Sequence, residues 1–177
     1  MSRTKRRRTH AAKRRAFTLT ELLIVLAIIT TLASFVFGRV DASLSGARLS
    51  RAKAELSQIA KATLQLVIEQ NGTWPPDVDR DIPPGIQQFL GPGTWPNAPW
   101  PGSVYDWDAF TGSDGKPVSQ ISIRFCPLGQ PTQCAFPREP WAESFDYYSS
   151  VYYCMQGICR AHPGQSDNHP GYCVNCP

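Results

Sequence analysis

The chain opens on a hydrophilic, basic stretch and then runs sixteen residues, Leu22 to Phe37, without a charge. Counted from Phe17 to Gly38 the apolar run is twenty-two residues long, and Glu21 is its one ionisable side chain. At 1.5 Å per residue that makes about 33 Å of helix, enough for the hydrocarbon core of a bilayer. An unpaired acid near mid-membrane costs about 2.5 to 3.5 kcal/mol on insertion scales, so Glu21 calls for a partner. Helical patterning continues past the run: Val40, Leu44, Ala47, Ala52, Leu56, Ile59, Thr63 and Leu66 recur mostly at steps of three and four, with Arg48, Arg51, Lys53, Glu55 and Lys61 between them. No proline falls between Phe17 and Gln70, and Asn71-Gly72 is a helix stop. The pattern therefore predicts one helix of about 54 residues, roughly 80 Å long. A cleaved secretory signal peptide or a plain signal anchor are the simpler readings, but neither requires Glu21, and a signal peptide would give way to unrelated mature sequence.

Past Trp74 the material changes. All sixteen prolines, five tryptophans and six tyrosines lie at or after that residue. Pro75-Pro76, Pro83-Pro84, Gly91-Pro92-Gly93 and Trp95-Pro96 punctuate a loop-rich region. Strand patterns follow at Gln120 to Phe125, where Ile121, Ile123 and Phe125 alternate with polar neighbours, and at Phe145 to Tyr153. The expected fold class is α+β: a long N-terminal helix, transmembrane in its first half, packed by its second half on a small antiparallel sheet. The segments are a basic leader over 1–16, a hydrophobic assembly helix over 17–38, its amphipathic continuation over 39–72, and a Pro/Trp/Cys-rich globular region over 73–177.

A core so thin calls for staples. Six cysteines, Cys126, Cys134, Cys154, Cys159, Cys173 and Cys176, all fall in this region. Six allow fifteen disulfide pairings, and the set preferred here joins each to its nearest neighbour: Cys126 with Cys134, Cys154 with Cys159, Cys173 with Cys176. The alternative is zinc. Cys159-x2-His162 followed by Cys173-x2-Cys176 has structural-zinc spacing, with His169 nearby.

Charge sharpens the division. Eight of the eighteen Lys and Arg residues stand in the first fifteen positions, leaving ten against fourteen acids, so the chain without its leader is net −4. That argues against nucleic acid as a partner, since nonspecific affinity rests on cations meeting phosphates. A basic block directly before an apolar run reads as a cytoplasmic flank.

Arg15-Ala16 followed by Phe17-Thr18-Leu19-Thr20-Glu21-Leu22-Leu23-Ile24-Val25 resembles the class III signal of type IV pilins and type II secretion pseudopilins. In that family a prepilin peptidase cuts before a Phe and N-methylates it. The resemblance implies cleavage between Ala16 and Phe17, with Ala16 standing where the family usually has Gly, and makes Glu21 the fifth mature residue. Arg51 to Ile59, leading to Asn71-Gly72-Thr73-Trp74-Pro75, is similar to the helix end of pilins and major pseudopilins, and Trp100 to Tyr105 loosely resembles a later pseudopilin segment. Implied partners are other copies of the chain or related pilins, the prepilin peptidase, a membrane assembly platform and the lipid bilayer. The implied place is the cytoplasmic membrane before assembly and an extracellular filament afterwards. Glu21 then acquires a partner: the Phe17 amine of a neighbouring subunit, strongly attractive in low dielectric.

Major pseudopilins are known for a calcium site near the segment that holds Asp106, Asp108 and Asp114 here. Phe110 occupies a ligand position of an EF-hand-like loop and no Glu closes it, so a solvated acidic turn is the preferred reading. The candidate cofactors are a structural calcium on these acids or a structural zinc on the cysteines. The three histidines, His10, His162 and His169, have no nucleophile motif or acid pair placed near them, and no enzyme is expected. Trp95, Trp100 and Trp107 could meet a carbohydrate surface, but more often such residues fill a small core. The expected function is that of a structural filament subunit; a secretion pseudopilin, or a minor pilin acting in DNA uptake or adhesion, are the alternatives.

Overall fold

The computed structural model describes residues 17–91, 95–112, 114–161 and 169–176. The chain divides into two units, through Ser43 and from Leu44 onward, and helix α1 (Leu19–Glu69) runs through both. Cleavage at Ala16, and the basic leader as a whole, lie outside the described residues.

Within the first unit the stretch of α1 from Leu22 to Phe35 carries no charge and exposes apolar side chains all round. Leu22, Leu23, Ile24, Val25, Leu26, Ile28, Ile29, Leu32 and Phe35 are each between 46% and 76% exposed, which is the signature of a helix that needs an apolar surrounding. Its hydroxyls ask nothing of that surrounding. Thr30 donates to the carbonyls of Leu26 and Ala27, Thr31 to those of Ala27 and Ile28, and Ser34 to that of Thr31. Among the described residues no helix is long and apolar enough to cross a membrane. The side chains at 36–39 and 42 are not among them.

In the second unit α1 buries one face. Ala52, Leu56, Ile59, Ala60, Ala62, Thr63, Leu66 and Val67 are buried, while Val40, Leu44 and Ala47, on the same predicted stripe, are exposed. The helix ends where Asn71-Gly72 predicts. Asn71 takes a left-handed conformation (φ 53°), Gly72 N–H reaches back to the Val67 carbonyl at 2.8 Å, and Asn71 N–H reaches the Ile68 carbonyl at 3.2 Å. This is a Schellman closure, with Asn supplying the left-handed residue.

Four strands form one sheet in the order β1 (Val104–Thr111), β2 (Pro117–Arg124), β3 (Ser150–Gln156), β4 (Gly171–Cys173). The first three pair antiparallel, but β4 pairs parallel to β3, so the sheet is mixed where an antiparallel one was expected. The apolar alternation predicted from Gln120 to Phe125 falls on β2 but for Phe125, one residue past its end, and the strand starts three residues earlier, at Pro117. The Phe145 pattern places its strand start five residues early, because Asp146 to Ser149 close a turn, with Ser149 N–H donating to the Asp146 carbonyl at 3.0 Å.

The sheet's two faces differ. Tyr105 and Trp107 on β1 oppose Ile123 and Ile121 on β2, and Val151 on β3 opposes Ile123; these side chains share one core with Leu56, Ile59 and Leu66 of α1. The Tyr105 hydroxyl donates to Glu55 Oε2, joining sheet to helix. Trp107 and Trp100 are buried, Trp107 stacking on Trp74 with centroids 6.1 Å apart, and Trp95 is half-buried, so these tryptophans fill the core. Disulfides join Cys126–Cys134, Cys154–Cys159 and Cys173–Cys176, the nearest-neighbour set.

Candidate functional site

Strand alternation sends Asp106 and Asp108 of β1, with Gln120, Ser122 and Arg124 of β2, to the face opposite the apolar core, and all five are buried. Arg124 sits between the acids. Its Nε donates to Asp106 Oδ2 at 2.7 Å and its Nη2 to Asp108 Oδ1 at 2.9 Å, while Nη1 reaches the carbonyls of Ala161 (2.7 Å) and Tyr148 (3.2 Å). Gln120 and Ser122 each donate to Asp108 Oδ2 at 3.0 Å, and Arg80 N–H donates to Asp106. One guanidinium faces two carboxylates. Burial and the Asp108 charge push the Asp106 carboxyl above its ordinary value despite Arg124. Burial likewise raises Asp77, which accepts from Ala109 N–H at 2.8 Å. A cavity of about 380 Å³ opens here, lined in part by Asp77, Arg80, Asp106, Asp108, Arg124 and Tyr147.

The preferred reading of Asp106 and Asp108 as a solvated turn is therefore corrected. They are strand residues whose side chains anchor Arg124 and, through it, the backbone at Tyr148 and Ala161. Asp114 is held elsewhere, in the β1–β2 turn, accepting from Lys116 N–H at 3.1 Å.

At the other end of the chain, Thr18 stands at the N-cap of α1 and Glu21 at its third helical position. Thr18 Oγ1 accepts from Glu21 N–H at 3.2 Å, and Glu21 Oε2 accepts from Thr18 N–H at 2.9 Å and from Thr18 Oγ1 at 2.8 Å. This reciprocal arrangement is a capping box. Sequence reasoning missed it, although Thr-x-x-Glu before an apolar run is its signature. The box uses only Oε2; among the described residues Oε1 receives no hydrogen bond. Phe17, directly before the cap, is 84% exposed.

The family model described as the prokaryotic N-terminal methylation motif matches residues 11–37, the stretch that holds both the cap and the apolar helix. The chain carries the class III prepilin signal of the type IV pilin and pseudopilin family. No curated protein and no solved structure matches it. The prepilin signal is that of a membrane-anchored precursor.

Of the residues with metal-ligand chemistry in this pilin-like chain, Cys159, Cys173 and Cys176 are bonded to other cysteines, and a disulfide sulfur is not the thiolate that zinc requires. His162, the fourth candidate, lies outside the described residues. His169 Nδ1 lies 2.8 Å from Asp146 Oδ2. Among the described residues no group of three or more His, Cys, Asp or Glu is placed to hold a metal ion.

Proposed function

We propose that this protein is a structural subunit of a type IV pilus-like filament. It is inserted in the membrane through residues 17–38 as a prepilin, cut between Ala16 and Phe17, N-methylated on Phe17 and assembled by helix packing. The observation that carries the reading is the methylation motif over 11–37 coinciding with a helix that is apolar on every side and begins at Thr18-x-x-Glu21. In this chain Glu21 serves two partners, one with each oxygen. Oε2 closes the cap of its own helix, and Oε1 remains for the Phe17 amine of a neighbouring subunit. That amine, created by cleavage at the positive end of a helix dipole, needs a carboxylate in a medium without water. Other copies or related pilins, the prepilin peptidase, an assembly platform and the lipid bilayer are the partners. The finished filament lies outside the cell with the sheet-bearing unit exposed.

A pseudopilin of a secretion system is the close alternative and uses the same helix in the same way. Intact-mass measurement of exported protein tests the processing step. A chain starting at N-methylated Phe17 is expected; one starting at Met1, or cut after Ala33, contradicts the reading.

A further inference from the structure

Cys173-Val174-Asn175-Cys176 closes a disulfide across a sequence separation of three, the shortest of the three loops. The disulfides differ in access. Cys126 is buried, Cys134, Cys154, Cys159 and Cys173 are half-buried, and Cys176 alone of the six is exposed. The Cys176 N–H donates to Cys173 Sγ at 3.1 Å. An N–H aimed at sulfur favours its thiolate, and the better stabilised thiolate is the better leaving group in exchange. Access and leaving-group stabilisation point the same way: attack on Cys176, departure of Cys173.

The loop keeps its place by bonds that do not involve sulfur. Val174 N–H donates to the Tyr152 carbonyl at 2.8 Å. The Asn175 side chain pairs with Cys154 as a strand backbone would, its Oδ1 accepting from Cys154 N–H and its Nδ2 donating to the Cys154 carbonyl, both at 2.8 Å. With the disulfide open, both thiols therefore stay in one loop docked on β3, and reclosure is intramolecular. In Cys126–Cys134 one sulfur is buried and the other only half-buried, so neither end matches the exposure of Cys176.

The geometry points to Cys173–Cys176 as a reversible thiol–disulfide exchange site whose partner is a thiolate. In the first step the incoming thiolate forms a bond to Cys176 Sγ, the Cys173–Cys176 bond breaks, and Cys173 leaves as a thiolate held by the Cys176 N–H. A second thiolate then displaces Cys176, giving the partner's disulfide and leaving two electrons on the loop as a dithiol. Run backwards, a disulfide partner oxidises the loop. The thiolate can come from a small thiol or from the dithiol of a C-x-x-C protein.

The test is titration of the full chain in detergent with glutathione in one arm and reduced thioredoxin in the other. Acid quenching, alkylation and peptide mapping then read each cysteine. Cys173 and Cys176 are expected to label at thiol concentrations at least tenfold below those that open the other two disulfides, with the transient glutathione adduct on Cys176 and reclosure on thiol removal. The arm that opens the site at lower concentration identifies the source. Opening of Cys154–Cys159 first, opening of all three together, or an adduct on Cys173 overturns the proposal. Asn175→Ala is expected to move the balance toward the dithiol severalfold without changing Cys126–Cys134; an unchanged balance removes the docking role of Asn175.

Discussion

Replacing Arg124 with Met tests the polar face of the sheet. The residue is 3% exposed, and the three side-chain nitrogens bond two carboxylates and two carbonyls. Removing it leaves Asp106 and Asp108 buried beside each other without their cation, a change that costs about 3 to 5 kcal/mol. Since a domain holds about 5 to 15 kcal/mol in all, the variant stands near the edge of folding. The pH dependence gives the sign. Asp106 already has a folded-state pKa above its unfolded value, so the stability linked to its protonation is present at low pH and is lost as pH rises through the folded pKa. Without Arg124 that pKa rises further, and the deficit of Arg124→Met shrinks as pH falls from 7 toward 5. Urea unfolding of the full chain in detergent, followed by fluorescence of buried Trp100 and Trp107, measures it at both values. The triple variant Asp106→Asn, Asp108→Asn, Arg124→Met should recover much of the loss, because no buried charge is left over. A single-variant loss below about 1 kcal/mol, or a deficit independent of pH, refutes this account of the cluster.

Tyr105→Phe leaves Glu55 Oε2 without its donor between sheet and helix and should cost about 1 to 3 kcal/mol in the same unfolding assay. Gly157→Ala should cost more than about 2 kcal/mol, since Gly157 has φ 75° and an added Cβ would stand 2.5 Å from the Pro117 carbonyl oxygen; wild-type stability would show that this turn yields. Burial opposes ionisation of Asp146, but bonds from His169, Ser149 and Tyr148 outweigh it and hold the carboxyl below the ordinary range. Its contribution is therefore present above about pH 4 and is lost as pH falls through the lower folded value, which carboxyl NMR titration of wild type against Asp146→Asn checks.

The long helix was legible because its signals are local: an uninterrupted apolar run, no proline, and Asn71-Gly72 at the stop. The same holds for β2, where Ile121 and Ile123 alternate with polar residues and Phe125 follows directly after the strand. Strand β1 was not legible. Val104 to Thr111 carries Asp106 and Asp108 at alternate positions, and acids in a glycine-bounded stretch read as a turn until Arg124, sixteen to eighteen residues on, supplies the buried cation. Strand β4 escaped for a related reason. Three residues are too few for a period, and their parallel pairing is with Ser150 to Tyr152 of β3, extended by Val174 and Asn175 on Tyr152 and Cys154. At the helix start the spacing of Thr18 and Glu21 alone predicts the cap, while the apolar context makes the same acid read as an unpaired charge.

That double use of Glu21 makes one measurement decisive for the filament reading: the yield of sheared surface fibres, counted by electron microscopy, from cells making Glu21→Gln in place of wild type. Gln keeps the acceptor oxygen of the capping box and so leaves the helix start intact. It removes the charge, so the Phe17 amine of a neighbouring subunit has no counter-ion in the apolar bundle. The account predicts that Glu21→Gln chain accumulates in the membrane, processed and N-methylated, with few or no fibres. Wild-type fibre yield from Glu21→Gln would contradict it, and would reduce Glu21 to the cap of its own helix.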